Sequence, residues 1–255
     1  MCGRFVSSSN PDKIAEYFDA SFDAEPIPAN FNVAPTNDVY GVVALPGTEG
    51  EQREVQAFHW GLVPSWAKDM KIGSKMINAR GETIAEKPAF KSAFTKHRMI
   101  IPMDGFYEWK QGSEGAAVTK KGKLVKQPYF IHSAGGEPLA VAGVWATWRD
   151  RSAGPDAPWL HSCAVVTTSA NATMAPIHDR MPVMLPQSQW AAWLDPDNGD
   201  ADALKELLLP AEDDLLVMHP VSTDVNNVRN KDEHLVDEID PNAPPPADEG
   251  QLPLG

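Results

Sequence analysis

The sequence predicts an α+β domain dominated by strands, and three observations carry that prediction. Five runs rich in β-branched and aromatic residues follow one another between turn residues: Met99 to Met103, Gly105 to Trp109, Tyr129 to Ser133, Leu139 to Trp148 and Leu160 to Thr168. Segments with a helical period are short and lie outside these runs. No apolar stretch approaches the ~20 residues of a membrane-spanning helix, while an apolar fraction of 42% and eight Trp suffice for a sizeable core.

The elements follow in order. Asn10-Pro11 opens a short helix to about Asp19: Asn suits the N-cap, Pro the first helical position, and Ile14, Tyr17 and Phe18 share a face. A turn-rich stretch with Pro26, Pro28 and Pro35 comes next. Val39 to Leu45 and Val55 to Leu62 then read as strands around the polar loop 46–53. A helical pattern over 82–96 is interrupted at Pro88, where the missing N–H and the ring break the ladder. Between the later strands, QGSEGAAVTKKGKLVKQ (111–127) is a Gly/Lys-rich excursion, expected as an exposed hairpin or loop. Gln187 to Leu194 and Ala201 to Leu209 are expected as helices and Leu215 to Met218 as a last strand. One domain over 1–240 results. The tail 241–255, proline-rich and acidic with no stripe to bury, is expected to be disordered.

Composition bounds the function. Two cysteines, Cys2 and Cys163, argue against a disulfide scaffold or a Cys-rich zinc site. The N-terminus lacks the apolar run and cleavage site of a secretory signal, so a reducing compartment is expected, bacterial cytoplasm rather than nucleus. Net charge is −13, yet Lys68 to Lys126 carries 13 basic residues against 6 acidic, a local +7. Acids gather later, so one basic face remains compatible with nucleic acid. GxxxxGK[ST], GxGxxG, HExxH and GxSxG are all absent from the sequence. No cofactor or metal is implied, and a monomer is expected.

Four segments carry candidate chemistry. In Met1-Cys2-Gly3-Arg4 the small second residue allows removal of Met1, which leaves Cys2 with a free α-amine beside its thiol. The two groups titrate near ~8 and ~8.5. Such a 1,2-aminothiol condenses with an aldehyde to a Schiff base and closes to a thiazolidine; an internal cysteine, whose nitrogen is an amide, cannot. A Cys that merely follows Met is the alternative. In Ile77-Asn78-Ala79-Arg80, Asn78 and Arg80 share a strand face; Arg80 offers a fork suited to phosphate or a partner for Glu82. Gly105-Phe106-Tyr107-Glu108-Trp109 sets a carboxylate in an apolar strand, suited to acid/base work or simply facing solvent. Trp109 could stack on a base or belong to the core. Ile177-His178-Asp179-Arg180 joins a proton shuttle to a second phosphate candidate. His59, His97, His132, His161, His219 and His234 sit singly and read as structural.

Together, MCGRF, FNVAPT, FHWGLVPSW, INARGET, GFYEW, IHDRMPV and MHPVSTDVNNVRN resemble the SOS-response-associated peptidase (SRAP) family of abasic-site-processing proteins, in the family's order and up to about Val236. The resemblance implies barrel-like antiparallel sheets with peripheral helices, and single-stranded DNA bearing abasic sites as partner. It implies that Cys2 forms a thiazolidine with the abasic aldehyde and that Asn78 holds the sugar and orients the Cys2 amine. By the same resemblance Glu108 would act as general acid/base, and His178 would protonate the opening sugar oxygen. Arg4, Arg80 and Arg180 would grip phosphates, Trp66, Trp109 and Pro35 would line the path of splayed bases, and Thr168 would assist. Trp66-Ala67 departs from relatives with two adjacent Trp, and loop 111–127 and the acidic tail lie outside the pattern. Two other readings stay open: an N-terminal-nucleophile hydrolase that uses the Cys2 amine as base, and a non-covalent reader of damaged or modified DNA.

Overall fold

Alternating side chains along the strands sort the apolar residues into two large clusters, and the sheet topology follows from burying both. The computed structural model describes residues 2–22, 24–112, 124 and 126–241. The elements are β1 (Phe5–Ser7), α1 (Pro11–Tyr17), β2 (Ala20–Phe22), β3 (Asn30–Val33), β4 (Asp38–Ala44), β5 (Arg53–Trp60) and β6 (Asn78–Arg80). There follow α2 (Lys91–Lys96), β7 (Arg98–Met103), β8 (Gly105–Lys110), β9 (Gln127–Ser133), β10 (Leu139–Trp148), β11 (Leu160–Ser169) and β12 (Arg180–Pro182). The chain continues through α3 (Trp190–Leu194), α4 (Ala201–Glu206) and β13 (Leu216–Pro220).

Five strands close on themselves. β4 pairs with β5 and β7, β7 with β10, and β10 with β11, all antiparallel; the parallel register Ser162↔His59 and Cys163↔Trp60 then joins β11 to β5. β2, β6 and β12 extend this barrel at its margins. A second, antiparallel sheet runs β13-β9-β8-β1-β3. The expectation of barrel-like antiparallel sheets with peripheral helices holds.

One set of barrel side chains, including Val43, Phe58, Trp60, Met99, Ile101, Cys163 and Val165, packs with Phe5, Phe106, Ile131 and Leu216 of the second sheet. The other set, including Val42, Ile100, Ala142, Val144 and Val166, packs beneath the helices against Ile14, Phe94, Trp193 and Leu204. Packing on the first side is tight: a Cβ on Gly41 would lie 1.8 Å from the Met99 Cε, closer than any side chain can stand. Cys2, immediately before β1, falls where the second sheet meets the barrel.

Several details depart from the sequence reading. β1, β2 and β3 were not foreseen; each has only three or four residues and takes its partners from far along the chain. The pattern over 82–96 divides into a 3₁₀ turn at Gly81–Thr83 and the short α2, as Pro88 requires. The segment 187–194 begins as a 3₁₀ turn before α3, and α4 stops at Glu206. α1 starts as expected, with the Asn10 side chain accepting from the Asp12 N–H and Pro11 in the first turn. Most of the excursion 111–127 and all but Pro241 of the tail lie outside the described residues.

Candidate active site at the N-terminal cysteine

The pairing of β1 with β8 sets the first two members of the site. Phe5 lies opposite Phe106 and Val6 opposite Gly105, and the Tyr107 N–H donates to the Arg4 carbonyl at 3.0 Å. Continued by two residues, this register carries the chain start past Glu108. Phe106 and Glu108 share a strand face, and Phe106 belongs to the cluster that contains Cys2. Glu108 is thus a carboxylate in the core, 4% exposed, and Cys2 is fully buried. Burial, and after it the negative charge of Glu108, push the Cys2 thiol well above the usual thiol range. In this state the sulfur is a neutral thiol, and the neighbouring carboxylate helps to keep it so.

Asn78 is the third member. It registers with Val165, itself packed in the Cys2 cluster, through the parallel pairing of β6 with β11. Its Nδ2 donates to the Cys2 carbonyl at 2.9 Å. Its Oδ1 is buried and accepts no hydrogen bond among the described residues, which leaves an acceptor beside the residue that carries the proposed nucleophile.

His178 sits on the connection between β11 and β12. Its N–H donates to the Met174 carbonyl, and Met174 and Met181, on either side of it, both pack in the Cys2 cluster. Nδ1 makes two alternative contacts, and its protonation selects between them. Protonated, it donates to the exposed Asp179 carboxylate at 2.8 Å; bare, it accepts from the Arg180 N–H at 3.0 Å. Cys2, Asn78 and Glu108 are therefore joined by direct contact or charge, and His178 flanks them on a loop anchored in the same cluster.

The arginines divide sharply. Arg80 is exposed on β6. Arg180, not Arg80, takes Glu82: one guanidinium nitrogen meets Glu82 Oε1, and the other donates to Oε2 at 2.9 Å and to the Thr167 carbonyl at 2.8 Å. These bonds hold the Glu82 carboxyl below its ordinary value. Arg4 turns away from Cys2 and donates to Asn32 Oδ1 and the Val225 carbonyl, each at 2.9 Å, and burial lowers its guanidinium pKa. Of the remaining expected contacts, Trp66 is 57% exposed, while Pro35 is half-buried in the turn before β4. Trp109 is half-buried, its Nε1 donating to Asn226 Oδ1 at 2.8 Å. Thr168 is buried opposite Met181; the hydroxyl that meets Arg180, at 3.3 Å, belongs to Thr167.

Sequence reasoning passed over three residues that brace this arrangement. Asn32 Nδ2 donates to the carbonyls of Val225, Asn227 and Asn230 and locks the 223–230 segment beneath Arg4. Asp104 accepts from the backbone N–H and hydroxyl groups of both Ser8 and Ser9, fixing the far end of β1. Asn226 orients Trp109. Asn32 lies within FNVAPT, where an Asn between apolar strand residues was the available signal. Asp104 and Asn226 become recognisable only through partners about a hundred residues away. Among the described residues no group of three or more His, Cys, Asp or Glu is arranged to hold a metal ion.

Known proteins resemble this chain along most of its length. The abasic site processing protein YoaM of Bacillus subtilis is 38% identical over 239 residues, covering 93% of this chain and 98% of its own. The abasic site processing protein HMCES of Xenopus tropicalis is 31% identical over 90% of this chain and 76% of its own. A crystal structure of a protein from Bacteroides thetaiotaomicron superposes with a TM-score of 0.78 at 25% identity, over 93% of this chain and all of the other. The profile of the SOS response associated peptidase (SRAP) family matches residues 1–228, and the chain belongs to that family.

Proposed function

We propose that this protein processes abasic sites in DNA by covalent capture: Cys2, freed by loss of Met1, forms a thiazolidine with the abasic aldehyde in a single strand. The observation that carries the reading is the convergence of Asn78 and Glu108 on a cysteine at the chain start. The names of the relatives support the substrate.

The steps balance. The Cys2 amine adds to the aldehyde carbon, and one water leaves as the C=N bond forms. The thiol then adds across that bond, sulfur to carbon and its proton to nitrogen, so the net change is loss of one water. Glu108 accepts and returns the protons of carbinolamine formation, a positioned role typically worth ~10²–10⁴-fold. His178 protonates the sugar ring oxygen as the deoxyribose opens. Asn78 holds the Cys2 carbonyl and, through Oδ1, the approaching hydroxyl or amine. Thiol addition requires no prior thiolate, because the proton lost from sulfur ends on nitrogen. Phosphates are bound by Arg80, and by Arg4 and Arg180 once the strand competes for their present partners. Trp66, Trp109 and Pro35 line the bases, and Thr168 supports the loop of Arg180. Single strands are preferred because an abasic position there needs no unpairing.

The test is incubation of purified protein with single-stranded DNA carrying one abasic site, followed by a denaturing gel. A slow-migrating species that Cys2→Ala abolishes is expected. Its absence from the wild type, or its persistence in the variant, overturns the reading. Peptide cleavage that needs Cys2 but no DNA would favour the hydrolase.

A further inference from the structure

Of the eight Trp, only Trp66 and Trp159 are exposed, at 57% and 60%; Trp66 lines a cleft, and Trp159 adjoins it through Arg149, which lines the same cleft. The cleft has a volume of about 460 Å³ and is lined by Trp66, Lys68, Trp148, Arg149, Asp150 and Arg151, among others. A Trp carries more apolar area than any other side chain, and leaving two in water on one surface is costly unless something covers them. The Arg149 guanidinium lies 4.9 Å from the Trp159 ring centroid and donates to the Pro155 carbonyl at 3.0 Å, so the pair is held as a stacked platform. The floor is fixed too: Trp148 is buried, and its Nε1 donates to the Ala67 carbonyl at 2.8 Å, pinning the Trp66 loop to the end of β10. Asp150 is turned into its own chain, accepting from the Ser152 N–H and hydroxyl at 2.8 and 2.6 Å, while Lys68 and Arg151 remain exposed.

We infer that this cleft is a second subsite for the DNA strand, in which an unpaired base stacks on the Arg149–Trp159 pair and adjacent phosphates meet Lys68 and Arg151. The inference rests on the single-strand reading above and extends it beyond Trp66. Position supports it. Trp159 immediately precedes β11, and six residues later Val165 registers with Asn78. At ~3.3 Å per residue the platform lies about 20 Å along the strand from the capture site. A strand threaded through that site reaches the cleft a few nucleotides from the abasic position. Alternating aromatic and basic groups suit a sequence-tolerant single strand, in which every base offers a π-face and every linkage a charge.

The test compares labelled abasic oligonucleotides of about 5 and about 15 nucleotides, within the range of single-strand site sizes, with the damage placed near either end of the longer one. For the longer strand, measured in a Cys2→Ala background that cannot crosslink, Trp159→Ala and Arg149→Ala should weaken binding by fluorescence anisotropy about fivefold to 100-fold, the worth of one stacked base. Trp159→Phe should recover most of the loss. Arg151→Ala should lower the log–log salt slope by about 0.7. Covalent capture of the short oligonucleotide by the same variants with Cys2 intact should be unchanged. Unchanged affinity for the long strand overturns the subsite, as does an equal loss for both lengths. A wild-type protein that binds neither length overturns the single-strand function itself, and the subsite with it.

Discussion

The side-chain amide of Asn78 donates to the backbone carbonyl of Cys2 at 2.9 Å, so a residue on the barrel margin holds the N-terminal arm in place. Asn78→Ala should slow capture about 10- to 100-fold. Its effect on stability should be small, because one hydrogen bond nets about 1 kcal/mol, or roughly 2–4 °C in Tm for a chain of this size. Asn78→Asp, which cannot donate, should behave like the alanine variant. Single-turnover capture kinetics beside a thermal melt separate the two effects.

Glu108 has opposite effects on the two parts of the reaction. After burial, its charge helps to keep the Cys2 thiol protonated, yet the proposed chemistry needs its carboxylate. Glu108→Gln should therefore move the pH midpoint of Cys2 alkylation by iodoacetamide downward while slowing aldehyde capture by ~10²–10⁴-fold. A variant in which thiol reactivity and capture rise together would exclude the acid/base role.

Arg80 and Arg180 should separate by salt and by heat. Arg80 is exposed, so Arg80→Ala should lower the salt slope of single-strand binding by about 0.7 without changing Tm. Arg180→Ala strands Glu82 and Thr167 and should cost about 1 kcal/mol, discounted because Glu82 is half-exposed. Paired salt titrations and melts check both.

Cys163 gives a pH signature in the fold itself. Burial raises its thiol pKa far above the ordinary value of 9.0. A group raised in the folded state stabilises fully below its unfolded pKa and loses that contribution as pH climbs toward the folded one. Stability should hold below about pH 8.5 and fall beyond pH 9, with this thiol contributing up to about 1.4 kcal/mol per pH unit. Cys163→Ala should flatten the alkaline slope of Tm whatever its effect on Tm at neutral pH.

Much of this was legible in the chain. The long central strands announced themselves because each carries enough β-branched and aromatic residues to fill one side of a sheet. Cys2, Asn78, Glu108 and His178 were visible as unusual chemistry within short motifs. What stayed hidden depends on distance along the chain. β1 has three residues, and only β3 and β8 make it a strand. The sequence suggested Glu82 for Arg80, two residues away; folding delivers it to Arg180, 98 residues away, because Thr167 of β11 registers with both Arg80 of β6 and Pro182 of β12. Arg4 likewise reads as a free phosphate ligand until Asn32 and Val225 are brought beneath it. Local chemistry can be read from a motif, but the choice of partner belongs to the topology.

The most direct test of the central claim is intact-mass spectrometry of the purified protein before and after exposure to an oligonucleotide with one abasic site. The account predicts a starting mass that lacks Met1, and a product equal to protein plus oligonucleotide minus one water, absent from Cys2→Ala. A starting protein that retains Met1 yet still forms the adduct, or an adduct that survives Cys2→Ala, would contradict it.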